Sequence, residues 1–66
     1  MTLQDTIREA TSMAEHYEGE AQRLSQQYSG VRPGWVSTDI AIAQSRAASY
    51  RKMVEELKEA SDEAAD

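Results

Sequence analysis

Five side chains of this sequence could do binding chemistry together: Arg32, Trp35, Arg46, Tyr50 and Arg51. A guanidinium is planar, always charged, and offers paired donors that match a phosphate. An indole or phenol ring beside it can stack on a base or take a cation over its face. Arg23 and Lys52 extend the basic region. A helix starting just after Trp35 would add free backbone N–H groups facing an anion. The basic residues are too few and too scattered for a face that grips duplex nucleic acid, which needs many phosphate contacts. They suit a small anionic ligand, the more so if several chains pool them. Each also has a plainer use. The arginines can be solubilising groups or intersubunit ion pairs. Trp35 can pack across a hairpin tip, and the tyrosines can be half-buried core with the hydroxyl in water.

Catalytic chemistry has much less to stand on. His16 is the only histidine; Glu20 follows it by four residues and Glu9 precedes it by seven. A His and a Glu at that spacing hold a metal only weakly, and an ordinary surface pair is the simpler reading. There is no nucleophile with a base beside it, no HExxH and no Gly-rich phosphate loop. With no cysteine, disulfides and thiolate metal sites are excluded. The expectation is a protein that is not an enzyme and that uses no metal and no cofactor.

The net charge is −5, but its distribution says more than its sum. Residues 1–20 carry Asp5, Glu9, Glu15, Glu18 and Glu20 against Arg8, a net of −4. Residues 21–54 carry Arg23, Arg32, Arg46, Arg51 and Lys52 against Asp39, a net of +4. Residues 55–66 carry six acids against Lys58, a net of −5. The acidic end, VEELKEASDEAAD, is most simply a solvated face.

The elements that must position these residues are two helices. Leu3, Ile7, Ala10, Ala14, Tyr17, Ala21, Leu24 and Tyr28 recur in alternating steps of four and three. That is the stripe of one long helix. Thr2 can cap it, with Asp5 reaching back, and Gly30 is placed to end it in the left-handed conformation. Val36, Ile40, Ala43, Ala47, Tyr50, Val54, Leu57, Ser61 and Ala64 repeat the pattern. Ser37 or Thr38 is the expected N-cap there, with Asp39 in the first turn. The C-terminal acids oppose the helix dipole, so the last turn or two should fray.

The spacing predicts an all-α, antiparallel two-helix hairpin with a heptad seam. It forms a single domain over residues 1–66, with helices over about 3–28 and 38–63 and a loop over 29–37. The alternative is one long helical rod with a broken middle, against which Pro33 and Gly34 in tandem argue. Folded this way, the loop end should be basic and the end with both termini acidic. A chain of 66 residues buries little surface, and without disulfides or metal its natural support is a second chain. A face beside the seam, made of Ala41, Ile42, Ser45, Ala48, Ser49 and Met53, would let another helix approach. Met13 and Gly19 lie off the first stripe. Gly19 is either a tolerated imperfection or a point of close approach, since Gly inside a helix costs about 1 kcal/mol relative to Ala. A homo-oligomer is expected. No apolar run nears the ~20 residues of a membrane span and no signal-peptide pattern is visible, so a soluble, cytoplasmic protein is expected.

Residues 32–57, RPGWVSTDIAIAQSRAASYRKMVEEL, resemble the second helix of a phage family of helical-hairpin nucleotide sponges, the anti-CBASS and anti-Thoeris proteins. In that family a basic residue and a Trp lead into a helix of small, polar and apolar residues. The resemblance implies compact oligomers of hairpins. It implies binding of cyclic-nucleotide immune signals between protomers without cleavage, with basic side chains on phosphates and rings on bases. Carried onto this sequence, Arg32, Arg46 and Arg51 would hold phosphates, and Trp35 or Tyr50 would carry a base. Arg32 and Trp35 are here spread by Pro33 and Gly34. Family members also have a short leading helix with an aromatic and a basic residue; residues 1–17, MTLQDTIREATSMAEHY, read as the long helix instead.

The functional expectation is therefore a phage-type sponge that sequesters a cyclic nucleotide and so blunts bacterial anti-phage signalling. The alternative is a small helical interaction module, an inhibitor or antitoxin-like protein, that binds a host protein.

Overall fold

In the computed structural model, which describes residues 2–65 with side chains through Ser61, two helices pack against each other. Helix α1 spans Leu3–Gln27 and helix α2 spans Gly34–Ala65. The helices run antiparallel: Ile7 and Ala10 share a cluster with Val54, Tyr17 meets Tyr50, and Tyr28 meets Trp35. The hairpin measures 53 × 14 × 14 Å.

The apolar stripes do the packing. The buried residues are Ile7, Ala10, Ala14 and Ala21 on α1, and Val36, Ile40, Ala43, Ala47 and Val54 on α2. Every one of them belongs to the four-and-three spacing. Five are alanines, so the helices pack with little side-chain volume between them. Bulk comes from residues at the seam's edges. Leu24 and Tyr28 close over one cluster, and Tyr50 and Leu57 over the other. Tyr17 and Tyr50 stack nearly parallel, with centroids 5.9 Å apart and planes at 12°. Such a pair contributes about 0.5–1.5 kcal/mol beyond the area it buries.

Helix α1 begins as its sequence predicts. The Asp5 N–H donates to Thr2 Oγ1 and the Thr2 N–H donates to Asp5 Oδ2, both at 3.2 Å. This reciprocal box satisfies two donors that have no partner within the helix. Its C-terminus differs from expectation. No glycine has a positive φ, so Gly30 is not a left-handed cap. The helix closes instead through Tyr28, whose N–H bonds the Leu24 carbonyl at 3.0 Å.

Helix α2 starts four residues earlier than expected. Ser37 and Thr38 are not caps, and Asp39 is not in the first turn. Thr38 lies inside the helix, its hydroxyl donating back to the Gly34 carbonyl at 3.4 Å. Two physical causes move the start forward. Pro33 has a φ already suited to the edge of a helix, and its carbonyl accepts from the Val36 N–H at 3.1 Å. Starting at Gly34 also places fully buried Val36 on the same face as Ile40, under Ala21 and Leu24. The connection thus shrinks to residues 28–33. At the other end α2 is continuous through Ala65. The side chains from Asp62 on, including Ala64 of the stripe, lie outside the described residues.

Gly19 is exposed, and a Cβ built there meets nothing within 4 Å. Its cost is then the intrinsic one. Gly19→Ala is expected to stabilise the hairpin by about 1 kcal/mol, which for a chain of this size raises the Tm by roughly 4–8 °C. Thermal unfolding followed by circular dichroism measures it. A lower Tm would place another chain against Gly19.

Candidate functional site

The five candidate side chains fall on two flanks of the hairpin. Arg32 and Arg51 border one groove of about 700 Å³, together with Glu18, Gln22, Ser25, Gln26 and Gln44. Arg46 lies on another groove, with Tyr17, Glu20, Asp39 and Ile42. Those two grooves share no residue. The reason is helical geometry: Arg46 and Arg51 are five residues apart and stand on opposite sides of the seam residue Tyr50.

Arg32 comes from the connection and folds back over the end of α1. Its Nε donates to the Tyr28 carbonyl at 2.7 Å and its terminal nitrogen to Ser25 Oγ at 3.3 Å. The last turn of α1 has no basic residue of its own. Arg32 supplies that cation, where unpaired carbonyls and the negative end of the dipole favour it. It does the capping that Gly30 was expected to do. Arg32→Ala is therefore expected to lower stability by about 0.5–1 kcal/mol. Urea unfolding with an unchanged slope would show it, and Arg32→Lys should recover part of the loss.

Arg51 projects across to α1. Its Nε and terminal nitrogen donate to the two carboxylate oxygens of Glu18 at 3.1 and 2.7 Å. This is the two-pronged geometry that an arginine would offer a phosphate. The hydrogen bond from Arg51 holds the Glu18 carboxyl below the usual carboxylate range, with desolvation opposing it and the Arg51 charge adding to it. Because the folded-state value is depressed, the contribution is present at neutral pH and fades as pH falls through that lowered value. Both side chains are about half exposed, so the pair is screened by solvent.

On the other flank, the Arg46 guanidinium lies over the Tyr17 ring, 5.6 Å from its centroid. Tyr50 is occupied by its stack on Tyr17. Trp35 packs edge-on against Tyr28, at 5.4 Å and 78°, yet remains 51% exposed. His16 also stands edge-on to Tyr17, at 5.2 Å.

The chain matches no known protein family, no curated protein and no solved structure. Among the described residues no helix is long and apolar enough to cross a membrane.

Two features change the map drawn from sequence. Arg46, Arg51 and Lys52 lie near mid-length of the hairpin, with Arg51 facing Glu18, and the loop end itself holds Arg32 with Arg23 close by. The basic region is a stretch of the shaft and not a tip. Glu18 and the glutamines of the groove were also not singled out. Their signal exists in the sequence, because flanking positions of paired heptads face each other, but it needs the register between helices to be known.

Proposed function

We propose that this chain is a non-catalytic binding protein that sequesters a cyclic nucleotide, in the manner of the phage sponges its second half resembles, as a homo-oligomer working in the bacterial cytoplasm. One observation carries this reading: two guanidiniums and three glutamines border a single groove whose floor includes Ala21, Ile40 and Ala47. Ser25 and Glu18, their respective partners, are two helical turns apart, so the cations are spaced by roughly 10 Å. That spacing suits a ligand with more than one phosphate. The glutamine amides carry both donor and acceptor, as base edges require. A phosphate would take the place of Glu18 on Arg51, trading one two-pronged anion for another. Trp35, Arg46 and Tyr50 lie outside this groove, so within one chain the recognition of bases falls to the glutamines instead of to a stacking ring. Isothermal titration against a panel of cyclic di- and trinucleotides is the test. Heat at micromolar concentrations is expected with at least one; no heat with any, well above that range, overturns the proposal.

A second reading is favoured by the opposite flank, where large apolar side chains stand in water. It is an interaction module that docks a host protein there. Recovery of one stoichiometric host protein, with no nucleotide carried through purification, would favour it.

A further inference from the structure

The hairpin exposes 4885 Å². A compact folded chain of 7.4 kDa exposes roughly 4,200 Å² by the usual scaling of surface with mass. The difference, about 700 Å², is close to the roughly 800 Å² that each partner contributes to a standard interface. Part of the exposed surface is an apolar row on α2, apart from exposed Leu3 and Val31. Trp35, Ile42 and Met53 are 51%, 44% and 45% exposed, all on α2. With Arg46 and Ser49 between them, they recur in steps of seven, four, three and four. That is a second heptad row beside the first; within the chain it is covered only at its edge, by Tyr28 against Trp35 and Tyr17 under Arg46. Half-buried Met13 and Tyr50 border it next to Met53.

We propose that this row is the interface with a second copy of the chain, two α2 helices packing antiparallel about a two-fold axis to close a four-helix bundle. The pattern is self-complementary, as such an axis requires. Trp35 and Met53 are equidistant from position 44, and so are Ile42 and Arg46. An axis there sets Trp35 against the partner's Met53 and Ile42 against the stem of the partner's Arg46. A hollow of about 270 Å³ lined by Ser45, Arg46, Ser49, Tyr50 and Met53 receives the indole. Tryptophan on a thioether, next to a guanidinium, is a favourable arrangement. The charges agree as well. Asp39 falls opposite the partner's Ser49, one turn from the partner's Arg46, within reach of that long side chain. Both ion pairs form at once, because the two-fold axis sets each chain's Asp39 near the other chain's Arg46. The Arg32 and Arg51 groove stays open on the other flank, so this pairing holds whether or not the groove takes a nucleotide.

Native mass spectrometry and sedimentation velocity of the full chain test it. A species of twice the chain mass is expected at micromolar concentration. Met53→Glu is expected to weaken the dimer at least tenfold and to leave helicity intact, since Met53 is half exposed in the single hairpin. Asp39→Arg should weaken it, and Asp39→Arg combined with Arg46→Asp should restore it. Three results would overturn the proposal: a monomer at high concentration, an oligomer indifferent to Met53→Glu, or a charge swap without rescue. A monomer that instead captures a host protein through this row would support the interaction module.

Discussion

Ala14→Asp is expected to leave this chain largely unfolded at neutral pH. Ala14 is 0% exposed at the centre of the seam. The seam there is built from small side chains, with Ala10 and Ala47 also buried. Among the described residues no buried polar side chain stands ready to meet a carboxylate at that position. An uncompensated buried charge costs several kcal/mol, about 3–5 in comparable cases. A domain of 66 residues has a total stability of only about 3–10 kcal/mol at 0.05–0.15 kcal/mol per residue. The penalty is therefore comparable with the whole. Circular dichroism should show most of the helical signal lost. The exposed change Gln4→Asp, in the first turn of α1, should shift stability by less than about 0.5 kcal/mol. Full helicity in Ala14→Asp would mean that the two helices do not depend on each other as the seam implies.

The second large effect concerns the Glu18 and Arg51 pair that borders the groove. If Arg51 holds a ligand phosphate, Glu18 is its competitor. Arg51→Ala and Glu18→Gln should then move nucleotide affinity in opposite directions. Arg51→Ala removes a two-pronged charged contact, and a loss on the order of tenfold or more is expected. Glu18→Gln keeps the side chain's size and removes the competing negative charge, so affinity should rise several-fold. The oligomer should survive both, because neither residue is on the Trp35 and Met53 row. A purely structural ion pair behaves otherwise. Breaking it from either side would lower stability alike and leave titration heats unchanged. If Arg51→Ala instead dissolves the oligomer, Arg51 is an assembly residue.

The loop residues show how far local chemistry reaches. Arg32, Pro33, Gly34 and Trp35 exceed what a turn needs, and sequence reasoning assigned the surplus to a ligand. In the fold Arg32 caps α1 through the Tyr28 carbonyl and Trp35 rests against Tyr28. Both have local employment first. Arg32 is still at the edge of the groove, whereas Trp35 faces the open flank of α2.

Periodicity in the sequence determined the two helices and the stripe to which the buried residues among those described belong, although it also took in Leu3, which is exposed. The helices follow from an apolar stripe that repeats at the helical period, and the hairpin from a Pro-Gly interruption that disfavours a rod with a broken middle. The capping box at Thr2 and Asp5 was legible for the same reason, because its partners are three residues apart. Three things waited for the tertiary structure. The start of α2 was set by burial of Val36 against α1, which outweighed the local preference for a Ser or Thr cap. The division of the five candidate residues between two flanks was set by which side of the seam each one leaves. The Glu18 and Arg51 clamp joins residues 33 apart, and only the register of one helix against the other brings them together. Local patterns report what a helix will bury; which polar side chains then converge depends on how two helices slide and turn against each other.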